Sequence, residues 1–426
     1  MPHPEHTDQH AHEAGASKRL STVMVLSIFV PFAAGYFLSY VYRTINSVVA
    51  PEIVHAVGVD ASDLGLLTST FFLAFALAQL PLGVLLDRFG PRRVEACLLL
   101  VAATGVGVFA EGRSLAALSV GRALIGLGAS ACMMAAFKAF VQWFDVKRLP
   151  LVNGCLLGCG ATGALAATVP VQWALDLTGW RVIFAGLAVA TVVVALSLWT
   201  VVPDHAEPPA HTDMASQLRG IRQVFGDRFF WRVTPLAAIS QGCFLGIQGL
   251  WAGPWLRDVA HENPKAVAAH LAALALAIIA GFFVTGTAAE RLMRRGVAQT
   301  TIIGGGMVLF TLVLASLAAG FGQAPLATWL AFGFLGASSM LAYSALSGAF
   351  PRHLAGRVNT ALNLVAFVAA FAIQWGMGAV INLWRTPSGE TYGAPGYQAA
   401  FAVLTVLEVA ALAWFALPRH RRSARD

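Results

Sequence analysis

The sequence predicts an all-α integral membrane protein: twelve transmembrane helices arranged as two pseudo-symmetric six-helix bundles. Three observations carry that prediction. The 426 residues are 58% hydrophobic and 12% charged, with a mean hydropathy of +0.70. A soluble chain carries roughly 25% charged residues, so this one has too little polar surface to face water and its main solvent is lipid. Apolar runs of the roughly 20 residues that a spanning helix needs recur twelve times. Finally, a basic cassette occurs twice, GVLLDRFGPRR at 83–93 and GTAAERLMRRG at 286–296. Gly83, Asp87, Arg88 and Arg92 correspond to Gly286, Glu290, Arg291 and Arg295, and each copy follows a long apolar run. A duplicated cassette in a hydrophobic chain points to two related bundles.

Taken in order, residues 1–19 form a polar, His-rich tail with no cleavable signal. Six apolar runs follow, near 22–50, 61–86, 94–111, 115–143, 150–175 and 180–202, giving an N-terminal bundle over 20–203. Residues 204–230 are a cytoplasmic linker, rich in Pro, His and acid at first and then patterned like a short amphipathic helix. Six more runs, near 232–257, 265–286, 297–319, 325–350, 358–384 and 397–417, give a C-terminal bundle over 231–418, and 419–426 is a basic tail. The five cysteines lie inside apolar segments, an odd number with no disulfide framework.

The basic residues set the orientation. With both termini cytoplasmic, twenty of the 28 Lys and Arg fall on cytoplasmic segments, whereas Arg113, Arg181, Arg257, Lys265 and Arg385 fall on the opposite side. The net charge of +7 is therefore a topology signal. It indicates basic loops on a lipid bilayer, with no nucleic-acid partner. The expected location is a bacterial inner membrane, multi-pass.

The first cassette resembles the loop between helices two and three of the major facilitator superfamily, with Gly83, Asp87, Arg88, Gly90 and Arg92 in the expected places. GRALIGLGAS at 121–130 resembles that superfamily's fourth-helix motif, and TGWRVIF at 178–184 the opening of its sixth helix. The resemblance covers residues 20–418. It implies a monomeric transporter without cofactor, whose two halves rock about a midplane site. It also implies a gate. Asp87 would sit against the positive N-terminus of the eleventh helix, and Arg88 would pair with Asp145, latching the halves on the cytoplasmic side. Gly90 provides a tight turn in the first copy. The second copy has Met293 and Arg294 at the corresponding positions, so the turn is expected in the N-terminal half alone. The fifth helix lacks the Gly-Pro pair of drug/proton antiporters, which argues against drug export.

In this superfamily helices one, four, seven and ten line the cavity, and here those runs carry polar stripes. Tyr36, Tyr40 and Arg43 share one face of the first, Gln241 and Gln248 one face of the seventh. Trp251 and Trp255 continue the seventh-helix stripe, as packing or as an interfacial belt. Tyr343 lies on the tenth, and Asn363, Phe367 and Gln374 on the eleventh. Polar groups at membrane depth are costly and mark function. Arg43, Arg122 and Lys138 are cations within spans, while Glu408, on a helix expected at the periphery, is the clear intramembrane acid. Arg122 could equally be a hub between helices, and Lys138 could snorkel to the surface. A net positive cavity favours a small organic anion, carboxylate-like, whose charged group pairs with Arg. Uptake by proton symport is the expected mode, with His270 the coupling candidate because it is the imidazole within an apolar run.

A metal ion or metal chelate is the alternative cargo, and efflux of a drug or metabolite the alternative mode. The histidines of the tail and linker, Cys155 with Cys159, and Met133 with Met134 would suit soft metals, although cysteine also serves as an apolar packing residue. No resident metal is expected. The extramembrane segments are too short for a catalytic domain, which argues against an enzyme.

Overall fold

The structure is a computed structural model. It describes residues 22–145, 148–204, 214–320, 325–351, 354–385 and 392–417. The His-rich tail, His205, His211 and the basic C-terminal tail lie outside the described residues.

Twelve helices among the described residues are long and apolar enough to cross a membrane. The first six are α1 (Thr22–Thr44), α2 (Ala61–Phe89), α3 (Pro91–Glu111), α4 (Leu115–Trp143), α5 (Leu151–Leu177) and α6 (Trp180–Val201). The second six are α7 (Arg228–Asp258), α8 (Pro264–Arg294), α9 (Gln299–Ala318), α10 (Pro325–Ala349), α11 (Gly356–Asn382) and α12 (Ala394–Ala416). Their starts follow ordinary capping chemistry. The Asp60 carboxylate accepts from Asp63 N at 2.8 Å ahead of α2, and Asp227 accepts from Phe229 N at 2.7 Å ahead of α7. Asn263 caps α8, whose first residue is Pro264. Within the linker, Met214–Phe225 is helical and packs against α2 and α11.

Five helices among the described residues carry irregularities within their spans, and four of them, α1, α4, α7 and α10, are those that the resemblance assigns to the cavity. The backbone of α1 breaks at Ile45 and resumes as Asn46–Val57, and that of α4 breaks at Ser130–Ala131. A π-turn, Ile247–Trp251, interrupts α7, and a 3-10 turn, Ala337–Met340, interrupts α10. Irregular backbone at membrane depth is tolerated where it is buried in protein or lines a cavity, and π-bulges recur at functional sites. A further break, at Ala167–Thr168, lies in α5.

Within the first bundle α3 packs along α4 and α6; within the second α8 packs on α10, and α9 on α12. The bundles meet along α2–α11, α5–α8 and the Asn46–Val57 extension against α7. Three side-chain hydrogen bonds cross between bundles among the described residues, and all lie at the end remote from the basic loops. Ser47 Oγ donates to the Gln248 carbonyl at 2.7 Å, Ala61 N to the Tyr392 hydroxyl at 2.7 Å, and Asn382 Nδ2 to Asp60 Oδ2 at 3.0 Å. Burial lifts the Tyr392 pKa, so its hydroxyl stays protonated while it accepts from Ala61. Gly253 packs on the Ser47 carbonyl and Gly378 on the Ala61 carbonyl so closely that a Cβ would collide. This far end is sealed, and at the basic end the linker helix bridges α2 and α11.

The structure corrects the expectation for the second cassette. Helix α8 runs straight through it to Arg294, and Gly296 then turns the chain at φ 85°, matching Gly90 at φ 77°. Both loops therefore have their positive-φ glycine. In the second it sits three positions later than the aligned Met293, because the helix is longer. Trp251 and Trp255 do not form an interfacial belt: they are 1% and 3% exposed, and Trp251 Nε1 donates to the Gln374 carbonyl at 2.9 Å.

Candidate functional site

The centre of the site is Arg43, one residue before the end of α1. Its guanidinium lies over three rings: Tyr40 at 5.0 Å, Phe75 of α2 at 4.8 Å and Phe367 of α11 at 5.5 Å. Phe75 and Phe367 stack across the bundle boundary at 4.3 Å, so both halves frame the cation. Arg43 is half-buried, its Nε is buried without a hydrogen-bond partner, and no carboxylate pairs with it among the described residues. Ring faces attract a cation but do not satisfy its N–H donors, and a guanidinium has five of these in a fixed fork. An open fork of this kind is suited to a bidentate anion.

Around it, Tyr36 and Tyr40 pack edge to face at 5.1 Å, and the Tyr36 hydroxyl donates to Met133 Sδ at 3.7 Å. From the second bundle, the Tyr343 hydroxyl donates to Asn363 Oδ1 at 2.6 Å, and Ser339 Oγ to Gln241 Oε1 at 2.7 Å. Gln374, fully buried, donates from Nε2 to the Gly246 carbonyl at 3.1 Å, holding α11 against the π-turn of α7. Gln248 lines a void of about 30 Å³ with Thr44 and Ser47, room for a water or two. Of the nine sequence-predicted binding residues, this arrangement places Tyr40 with Arg43. The others tie neighbouring spans together close by, except Arg122.

Arg122 is 1% exposed, donates from Nη1 to the Tyr42 carbonyl at 2.9 Å and lies 5.2 Å over the Phe71 ring. Phe71 stacks on Phe75, so two rings of α2 stand between the two guanidiniums. The expected convergence of Arg122 with Arg43 is not formed; Arg122 is the hub joining α1, α2 and α4.

Other expectations are corrected by partners that the sequence does not show. His270 is not deep. It lies under two turns into α8 at the far end, its Nδ1 2.7 Å from Glu262 Oε2 and 3.0 Å from the Ala266 carbonyl. Lys138 does not snorkel free: Nζ pairs with Asp87 Oδ1 at 2.5 Å and donates to the Leu86 carbonyl at 2.9 Å. Arg88 does not pair with Asp145; it is exposed and lies over the Phe89 ring at 5.2 Å. Arg92 donates to the Trp199 carbonyl, and Arg93 pairs with Asp204 at 2.6 Å. These loop residues, with Gly90, line a hollow of about 370 Å³ at the basic end, apart from Arg43. Gly83 is half-buried within α2.

Glu408 does not face outward. It is fully buried and accepts from Ser240 Oγ of α7 at 2.9 Å. A second buried acid went unrecognised: Glu95, on α3, is also 0% exposed. Among the described residues no three His, Cys, Asp or Glu side chains come together as a metal site.

Twelve spans, breaks in the four that the resemblance assigns to the cavity, and a guanidinium between two bundles with no carboxylate paired to it among the described residues define a membrane transport protein of the two-bundle class. The chain belongs to the Major Facilitator Superfamily, whose family model matches residues 32–374. Among curated relatives, it is 25% identical over 61% of its length to the "Probable sulfoacetate transporter SauU" of Cupriavidus necator, of which 64% is covered. It is 29% identical over 42% of its length to the "Probable L-galactonate transporter" of Escherichia coli K12, covering 39% of it, and 23% identical to that organism's "Hexuronate transporter", with 42% and 41% covered. The alignments thus span less than two thirds of each relative. A bacterial homologue of the human lysosomal transporter Spinster has the same fold, with a TM-score of 0.75 at 18% identity, covering 93% of this chain and 97% of that one. A D-xylose–proton symporter matches at 0.71 and 14%, with 92% and 97% covered.

Proposed function

We propose that the protein is a secondary active transporter of a small organic anion, carboxylate or sulfonate in type, working by alternating access across a bacterial inner membrane. The observation that carries this reading is Arg43: a cation at the bundle boundary, framed by rings from both halves, with no carboxylate paired to it among the described residues. An uncompensated charge at this depth is costly, and a substrate anion offsets that cost only while it is bound. The relatives' named cargoes, sulfoacetate, galactonate and hexuronate, are all small anions. With the basic loops on the cytoplasmic side, the sealed end faces outward. Uptake coupled to proton entry is the mode we assign.

The test is a thermal-shift panel on the purified protein with sulfoacetate, galactonate, a hexuronate, neutral sugars and divalent or Cu(I) ions, followed by flux of any hit into proteoliposomes. An anion hit that Arg43→Ala abolishes supports the reading. Stabilisation by a metal ion or neutral sugar with no anion hit refutes it.

A further inference from the structure

Glu95 sits four residues into α3, 0% exposed, and neither of its carboxyl oxygens has a hydrogen-bond partner of acceptable geometry. No Lys, Arg or His pairs with it among the described residues. One face of the carboxyl fills the space left by the missing side chain of Gly35 on α1, where a Cβ would collide with Glu95 Oε1. The Cys132 thiol lies against it as well, on the first residue of the helix that resumes after the break in α4. Leu99 approaches the same Gly35, and with Phe32 and Ala136 it belongs to one apolar cluster of this bundle. An ionised carboxylate with neither cation nor hydrogen bond costs several kcal/mol in such a place. The environment in this conformation therefore holds the neutral acid.

The position of Glu95 links it to the anion site. Gly35 precedes Tyr36, and Arg43 follows two turns later on the same helix. Cys132 follows the break in α4, and Tyr36 bonds to Met133 beside it. A shift of α1 or of the second half of α4, both of them broken spans, changes the packing around Glu95 and its access to water. Of the cations nearby, Arg43 is the one held only by rings; Arg92 and Arg93, ahead of Glu95 on α3, go to the Trp199 carbonyl and to Asp204. Arg122 of α4 is held by Tyr42, which in turn bonds Thr191. Arg181, the one ionisable side chain of α6, donates to the Gly112 carbonyl at the far end, and Asp87 of α2 is paired with Lys138.

We propose that Glu95 is a protonation site that couples proton movement to the transport cycle. This rests on the transport reading above. Protonated Glu95 permits the conformation seen here. When α1 and α4 move and water reaches it, the carboxyl O–H breaks, the proton passes to water and the carboxylate remains. Reprotonation from the opposite side completes the cycle.

The test compares wild type with Glu95→Gln in proteoliposomes, using whichever of sulfoacetate, galactonate or a hexuronate binds. The variant is expected to keep counterflow exchange of labelled anion, while accumulation driven by a pH gradient falls to that of protein-free liposomes. A variant that still concentrates the anion on a pH gradient as wild type does overturns the proposal. An infrared measurement needs no substrate and so separates this proposal from the transport reading. Wild type minus Glu95→Gln should show a protonated-carboxyl C=O band that is lost at high pH, and its absence refutes the assignment even if no anion is transported. Should Glu95→Gln fail to fold, Cys132→Ala keeps the carboxyl and changes its surroundings. The midpoint of the pH profile of uptake should then move, and an unmoved midpoint counts against the proposal.

Discussion

The far-end seal offers a quantitative test of alternating access. Asn382 Nδ2 donates to Asp60 Oδ2 at 3.0 Å across the bundle boundary, while the other oxygen of Asp60 caps α2 through Asp63 N. Asn382→Ala removes the cross-bundle bond and leaves the helix cap in place. Its second contact, Tyr392 Oη to Asn382 Oδ1, is long at 3.5 Å and adds little. A hydrogen bond to a charged acceptor contributes about 1.5 kcal/mol, and only the far-end-closed state has this one. The substitution should therefore shift the closed-to-open equilibrium about ten-fold toward opening at the far end. Thr44, half-buried beside Ser47 and Gln248, reports on that opening. In a variant with its five native cysteines replaced, a cysteine at position 44 is labelled by an impermeant maleimide added on the Asp60 side of sealed vesicles. The labelling rate should rise about ten-fold with Asn382→Ala, tracking the open population. An unchanged rate would show that the bond does not distinguish the two states.

Three further outcomes follow from the same geometry. Arg43→Lys keeps the charge but not the planar fork, and should weaken anion binding about ten-fold in a thermal-shift or calorimetric titration; undiminished affinity would remove bidentate recognition from the account. Asp87→Asn breaks the half-exposed pair with Lys138, worth under about 1 kcal/mol, so the melting temperature should hardly change while proteoliposome turnover falls; an unchanged turnover rate defeats a gating role. Gly126→Ala drives a methyl group into the Phe71 carbonyl behind the ring that Arg122 covers, and overpacking of about 1–3 kcal/mol should lower the melting temperature; an unchanged midpoint would mean α2 and α4 can separate freely there.

The fold was legible because hydropathy and the twin cassette are properties of the chain in one dimension. Twelve apolar runs mean twelve spans whatever their packing, and basic loops imply a side. The breaks in α1 and α4 have no comparable signal, since no proline marks Ile45 or Ser130; the π-turn at Ile247–Trp251 does have one, Pro254, whose ring conflicts with the carbonyl four residues earlier. Partners were the least legible feature. Membrane physics says that a charged group at depth must find something to offset its cost, and this applied equally to Arg43, Arg122 and Lys138. What each one finds depends on chain segments far away in sequence. Arg122 meets a carbonyl 80 residues earlier, and Lys138 a carboxylate 51 residues earlier. His270 meets Glu262, an acid on the loop ahead of its own helix. Glu95 was hidden for the opposite reason. It lies two residues past Arg92 and Arg93, so it reads as part of a charged loop, whereas Gly90 turns the chain so sharply that α3 is already inside the bundle by residue 95. Once the satisfied groups are set aside, among the described residues Arg43 is left as the span cation with no paired carboxylate, and Glu95 as the buried acid with no ion pair and only the Cys132 thiol beside it. Arg43 is on α1 and Glu95 packs against it, and the imbalance at each is of the kind that a bound anion and a bound proton would correct.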